Sequence, residues 1–132
     1  YPVFRGEAVR SLGKINSPET YSTISSLLSD EAEGVRVIAA QVAGDLKLSS
    51  AVPLLMKNLQ DPVISVRRTC AQALGKIGDA AALPELDKLL SDEDAAMRSV
   101  AQTSIEQINK KQTEVKANTS SQPATRPRSV KP

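Results

Sequence analysis

The chain has 132 residues, of which 40% are apolar, but it contains only one Phe and two Tyr, so its core must be built from Ala, Leu, Ile and Val. Its formal net charge of +2 is uneven: residues 1–109 carry 11 basic and 14 acidic residues, whereas residues 110–132 carry six basic residues and one acidic residue. The mildly acidic first part argues against nucleic-acid binding, and the absence of an apolar run of 18 residues argues against a membrane span.

An internal repeat of 31 residues organises the chain. Placing residues 30–60 over residues 61–91 without a gap gives 11 identities in 31 positions. The same register produces an arginine column of Arg5, Arg36, Arg67 and Arg98, an aspartate column of Asp30, Asp61 and Asp92, and a glycine column of Gly13, Gly44 and Gly75. The repeats therefore cover about residues 1–29, 30–60, 61–91 and 92–109.

The first unit, residues 1–29, differs from the others at its start. Its aspartate position would fall ahead of Tyr1, and Tyr1-Pro2-Val3-Phe4 lacks the polar residues that usually close the end of an array. We therefore expect the amino end to be uncapped and the chain to be part of a longer array. An uncapped apolar end would also permit end-to-end self-association.

The first three units each predict a pair of helices. In the third unit, helix A runs from about Asp61 to Ile77 and carries an apolar stripe at helical spacing, namely Val66, Cys70, Leu74 and Ile77. Asp61 is expected at the N-cap, Pro62 at the first helical position, Gly78 at a left-handed exit and Asp79 at the next cap. Helix B carries Leu83, Leu86 and Leu90.

Two columns of small residues have separate predicted roles. The column of Ala8, Ala39, Cys70 and Ala101 is expected where adjacent A helices approach closely. The glycines that recur every 31 residues are expected to end helices.

The fourth unit, residues 92–109, contains only helix A, and its polar residues suit the closed end of an array: Gln102, Glu106, Gln107 and Asn109. From Lys110 to Pro132 the chain is basic, contains Pro, Ser and Thr, and shows no apolar periodicity. This composition predicts a disordered tail over residues 110–132.

The repeat resembles the HEAT repeat, in particular the short bacterial type named after phycobilisome lyases. The resemblance rests on the spacing Asp-x5-Arg and on Ala-x-x-Leu-Gly-x-Ile-Gly-Asp at Ala71–Asp79. It implies an all-α fold, an α-α superhelix (right-handed solenoid) of about three and a half armadillo-like repeats. It also implies that the aspartates and arginines form a ladder between successive repeats, which is a structural role.

The residues offer little for catalysis. Histidine is absent, which removes the commonest general base and metal ligand, and the single cysteine, Cys70, lies in a packing column. We therefore expect no enzymatic activity, no catalytic residue, no cofactor and no metal. The expected function is a protein–protein interaction scaffold, and the alternative is a subunit or fragment of a bilin chromophore lyase, as the named subfamily suggests.

A partner site is predicted on the concave face, which the B helices should line. Leu54 and Met56 are apolar in otherwise polar columns, and Lys57, Glu85 and Lys88 surround them with charge. The competing interpretation is that Leu54 and Met56 pack against neighbouring helices. The partner is expected to be a protein. The compartment is open: the cytoplasm is slightly favoured, and a removed signal peptide is compatible with a chain that starts at Tyr1.

Overall fold

A computed structural model describes residues 1–121, with side chains described through residue 119. Over this range the chain forms helices and no strand, so the predicted all-α fold is confirmed. Its α-helices are α1 Pro2–Ile15, α2 Pro18–Ser26, α3 Glu33–Asp45, α4 Val52–Lys57, α5 Ile64–Ile77, α6 Leu83–Lys88 and α7 Ala95–Ser121. Three short 3-10 turns, here named the closing turns, extend α2, α4 and α6: Leu27–Ser29, Asn58–Gln60 and Leu89–Ser91. None of these helices is long and apolar enough to cross a membrane.

The helices stack in two layers. The odd-numbered helices contact one another in chain order, α1 with α3, α3 with α5 and α5 with α7. The even-numbered helices form the second layer, in which α4 also packs on α5 and α6 on α7. Buried side chains join the layers into one core, including Ile24, Leu28, Leu55, Leu74 and Leu86. The predicted superhelix of stacked two-helix units is confirmed, because each unit completes its core with its neighbours.

The glycine column has a different role from the one predicted. Gly44 and Gly75 lie inside α3 and α5 and are buried, so they do not end these helices. A Cβ atom on Gly44 would lie 2.9 Å from Cα of Ala73 on the next helix, and one on Gly75 would lie 2.9 Å from Cα of Ser104. The glycines therefore let consecutive odd-numbered helices approach at backbone distance.

The alanine and cysteine column behaves as predicted at three of its four positions. Ala39, Cys70 and Ala101 are fully buried, but Ala8 is exposed. The prediction is wrong at Ala8 because no helix precedes α1 within the described residues.

The helix ends agree with the predictions at Gly78 and Asp79 and differ at Asp61. Gly78 closes α5 with φ of 79°, in the left-handed region, and Asp79 accepts a hydrogen bond from the Ala81 amide at 2.9 Å. Asp61 is not the N-cap, since α5 begins three residues later at Ile64. Its carboxylate instead accepts the Val63 amide at 2.9 Å, a turn that places Asp61 ahead of the helix.

The last helix corrects the predicted boundary at residue 109. Helix α7 continues to Ser121, so residues 110–121 are helical and not disordered. Lys111 Nζ donates to the Ile77 carbonyl at 2.7 Å, and Gln112 Nε2 donates to the Gly78 carbonyl at 3.0 Å. These bonds satisfy carbonyls at the end of α5, where a positive charge is also favourable. The rest of the predicted tail, residues 122–132, lies outside the described residues.

The layer of even-numbered helices ends earlier than the layer of odd-numbered helices. Leu86 on α6 is fully buried as its stripe predicts, but Leu90 in the closing turn is 42% exposed. The equivalent residues Leu28 and Leu59 are buried. Leu90 is exposed because, within residues 1–121, no second helix of the fourth unit covers it.

The predicted ladder of arginine and aspartate forms at two of three interfaces. Arg5 binds Asp30 through two hydrogen bonds of 2.8 and 3.0 Å, and Arg36 binds Asp61 in the same way at 2.8 and 3.1 Å. Among the described residues, Arg67 makes no ion pair with an aspartate, and its Nη1 donates to the Asp61 carbonyl at 2.6 Å. The third pair of the predicted ladder is therefore absent.

Candidate functional site

The residues predicted to bind a partner lie on two consecutive even-numbered helices. Leu54, Met56 and Lys57 belong to α4, and Glu85 and Lys88 belong to α6. Lys57 and Lys88 are exposed, and Glu85 is half-buried. Leu54 and Met56 are also half-buried and pack against the core, so each contributes one part of its side chain to packing and leaves another part accessible.

Three of the five predicted residues share one groove. Met56, Lys57 and Glu85 line an open groove of about 620 Å³ between α4, its closing turn and α6. Its other lining residues are Pro53, Asn58, Gln60, Asp61 and Pro62. Leu54 and Lys88 do not line this groove, although Lys88 Nζ lies 3.2 Å from Glu85 Oε1.

The groove residues that the sequence prediction omitted come mainly from the turn between two units. Asp61 and Pro62 follow α4 and its closing turn, so they reach the groove from the end of the unit. Pro53 shares a repeat position with Pro84, a signal that marks the starts of α4 and α6. The outward positions on the B helices therefore do not indicate the contribution of the turn.

The charges in the groove are of two kinds. The Asp61 carboxylate is fully engaged, because Arg36 and the Val63 amide both donate to it. Glu85 pairs with Lys88 at the edge, whereas Lys57 has no ion pair within 4 Å in the described part of the chain. The groove thus presents Met56 and prolines beside one unpaired lysine, an apolar floor with a charged rim.

A second groove lies on the other layer, between the carboxyl ends of α3 and α5 and the middle of α7. It measures about 580 Å³ and is lined by four lysines together with Asp45 and Glu114: Lys47, Lys76, Lys110 and Lys111. Lys76 is paired with Asp45 at 2.9 Å, and Lys111 is bonded to the Ile77 carbonyl. This groove is more polar and offers no apolar side chain, so it suits a partner less well.

Cys70 is placed for packing. Its side chain is fully buried in α5, and burial raises the pKa of its thiol to about 12, with the nearby Asp61 carboxylate adding to the increase. At neutral pH the sulfur is therefore protonated and out of reach of a substrate. Over residues 1–121 no group of three or more His, Cys, Asp or Glu residues could hold a metal ion.

Comparison with known proteins identifies the repeat and several proteins of similar sequence or structure. The HEAT-repeat family profile matches residues 1–68 and 24–106. The phycocyanobilin lyase subunit alpha of Synechococcus elongatus is 42% identical over 60 residues, covering 46% of this chain and 22% of that protein. A structure of human deoxyhypusine hydroxylase in complex with glycerol matches 92% of this chain and 41% of its own, with a TM-score of 0.72 and 25% identity. An engineered protein matches 80% of this chain and 56% of its own, with a TM-score of 0.65 and 22% identity. The chain thus spans about a fifth, two fifths and just over half of these three proteins.

Proposed function

Because the chain belongs to the HEAT-repeat family, we propose that it is a protein–protein interaction scaffold that binds its partner on the face of the even-numbered helices, the predicted concave face. The observation that supports this most is the groove that brings Met56, Lys57 and Glu85 together. A partner segment with an apolar side chain for Met56 and an acidic group for Lys57 would fit it. Such a segment would bury apolar area and satisfy the unpaired lysine at the rim.

A pair of charge-reversed variants tests this proposal. The double variant Lys57→Glu with Glu85→Lys exchanges the positive and negative charges of the groove and keeps the net charge of the protein. Lys110→Glu with Glu114→Lys is the matched control, because it makes the same exchange on the lysine-lined groove of the other layer. Tagged wild type and both variants would be used to capture proteins from cells of the source organism. We expect wild type and the control variant to capture the same partner in equal amount. The groove variant should bind that partner about tenfold more weakly, which corresponds to about 1.4 kcal/mol of binding free energy.

Two outcomes would contradict the proposal. Equal capture of the partner by all three proteins would show that the groove does not take part in binding. Loss of the partner by the control variant alone would show that the binding site lies on the other layer. All three thermal melts should agree to within a few degrees, because the exchanged side chains do not belong to the core.

The second candidate function is that of a subunit or fragment of a bilin chromophore lyase. It is favoured by the 42% identity over 60 residues with a phycocyanobilin lyase subunit. Titration of phycocyanobilin with the chain tests it directly. A shifted and intensified visible absorption band would support bilin binding, and an unchanged free-pigment spectrum up to high protein concentration would count against it.

A further inference from the structure

The lysine-lined groove of the odd-numbered layer is a positive surface on an acidic body. Its lining contains four lysines against Asp45 and Glu114, whereas residues 1–109 carry 11 basic and 14 acidic residues. The lining has no apolar side chain, so a partner of the kind proposed for α4 and α6 has nothing to bury there. A ligand of this groove would therefore be recognised by its charge.

The four lysines differ in how far the fold already uses them. Lys111 donates to a carbonyl at the end of α5. Lys76 pairs with Asp45, but both side chains are more than half exposed, so exchanging this partner for a ligand costs little. The side chains of Lys47 and Lys110 make no ion pair or hydrogen bond within the part of the chain that the structure describes. Two ammonium groups of the groove are therefore free to bind a ligand.

The backbone of Lys47 provides an independent observation. Asn16, Lys47 and Gly78 occupy the same position of the 31-residue repeat, and their φ angles are 48°, 54° and 79°. Asparagine and glycine adopt this left-handed conformation readily, whereas the Cβ atom of a lysine is crowded there. Strain of this kind is typical of functional positions, and no contact of the Lys47 side chain in residues 1–121 compensates it. The ammonium group itself is what this lysine adds to the groove.

We propose that the lysine-lined groove binds an acidic, largely polar polypeptide segment, at a site separate from the groove of the even-numbered layer. Carboxylates of the segment would pair with Lys47 and Lys110, and Lys76 would exchange Asp45 for the ligand. A nucleic acid fits this surface less well, because the lining contains no aromatic side chain on which bases could stack and the surrounding body is acidic.

Fluorescence anisotropy with a labelled peptide of alternating Glu and Gly residues tests the proposal. The variant Lys47→Asn removes the ammonium group and introduces a residue that suits the backbone conformation. It should bind the peptide about fivefold more weakly than wild type, and Lys47→Asn with Lys110→Gln about twentyfold more weakly. The Tm of Lys47→Asn should equal or exceed that of wild type, because the crowding is relieved. Salt above about 0.15 M should weaken binding, and a peptide with Gln in place of Glu should not bind.

Lys57→Asn is the matched control, because it removes an exposed, unpaired lysine from the other layer and should leave the affinity for the peptide unchanged. Loss of affinity in Lys57→Asn and not in Lys47→Asn would overturn this proposal and leave the function proposed for the other groove standing. Absence of binding by wild type at up to about 1 mM protein would also overturn it.

Two further outcomes would contradict the proposal. A single-stranded oligonucleotide that binds more tightly than the peptide, and whose binding depends on Lys47, would show that the groove takes a phosphate backbone instead. A fall in Tm of more than about 2 °C in Lys47→Asn would show that this lysine supports the fold and is not held ready for a ligand.

Discussion

Two successive helix interfaces, α3 with α5 and α5 with α7, have the same packing arrangement but are joined by different hydrogen bonds and ion pairs. At the first, Arg36 reaches across to the Asp61 carboxylate with two hydrogen bonds, and both side chains are largely buried. At the second, Arg67 makes no such bond, and Ser104 Oγ donates to the Ala71 carbonyl at 2.7 Å instead. The nearest ion pair at this interface joins Arg68 to Asp94 at 3.7 Å.

The difference shows that membership of a repeat column does not guarantee a contact. Arg67 and Asp92 have the residue types and spacing of the ladder, yet the last interface is closed by hydrogen bonds from α7 to carbonyls of α5. Close approach of the helices is common to both interfaces, because Gly44 and Gly75 allow it at each. Packing therefore sets the geometry of the stack, and the polar bonds differ from one interface to the next.

The largest expected effect is loss of the buried ion pair. Asp61→Ala should lower the free energy of unfolding by about 3 kcal/mol, because it leaves the Arg36 guanidinium buried without its partner. Asp92→Ala, at the interface without the pair, should cost no more than about 1 kcal/mol, the loss of its bond to the Asp94 amide. Urea denaturation of both variants measures the difference, and equal losses would show that the ladder is not what distinguishes the interfaces.

The next effect should be shared by both interfaces. Gly44→Ala and Gly75→Ala should each cost about 2 kcal/mol, because the added Cβ would lie 2.9 Å from a backbone atom of the neighbouring helix. Gly34→Ala on α3 is the matched control, since its Cβ meets nothing within 4 Å and should leave stability unchanged or raise it by about 0.5 kcal/mol. Thermal melts in which all three variants behave alike would refute the close approach at the glycine column.

A smaller effect should be confined to the last interface. Lys111→Ala together with Gln112→Ala removes two hydrogen bonds to the end of α5 and should cost about 1 kcal/mol. Lys116→Ala serves as the control, because it is an exposed lysine on the same helix. Hydrogen exchange should show faster exchange in the last turn of α5 for the double variant, and unchanged exchange there would argue that residues 110–121 do not cap α5.

The smallest effect is a pH dependence at the first interface. The hydrogen bonds from Arg5 hold the pKa of the Asp30 carboxyl below its usual range, and this outweighs the opposing effect of burial. A lowered pKa means that the carboxylate stabilises the fold above pH about 4 and that this contribution is lost as pH falls through the lowered pKa. Asp30→Asn should therefore be less stable than wild type at pH 7 and should lose less stability between pH 5 and pH 2.

A direct comparison checks that pH prediction. Arg5→Gln, which removes the two hydrogen bonds to the Asp30 carboxylate, should also lose less stability than wild type between pH 5 and pH 2. If Arg5→Gln lost as much stability as wild type over this range in urea denaturation, the Arg5–Asp30 pair would not be the cause.

The candidate site could be predicted in part from the repeat. The columns placed Met56, Lys57 and Glu85 on outward positions of successive second helices, and these three do line one groove. The columns could not show that Leu54 lies outside the groove or that Asp61 and Pro62 enter it. These placements depend on how the closing turn of one unit lies against the next unit, which a 31-residue period does not specify. The role of the groove in binding remains a prediction.

The sequence by itself determined the period, the helical pairs and the left-handed exit at Gly78, because these follow from local spacing and backbone preferences. Only the tertiary structure decided which arginines meet an aspartate, and that glycines inside the helices mark close approach. It also decided that residues 110–121 continue as helix, since that stretch has no apolar stripe and is held by bonds to carbonyls of another helix. Local sequence patterns determine the helices within one unit. Contacts between units depend on differences of about an ångström in how the units are placed against each other, which a local pattern does not specify.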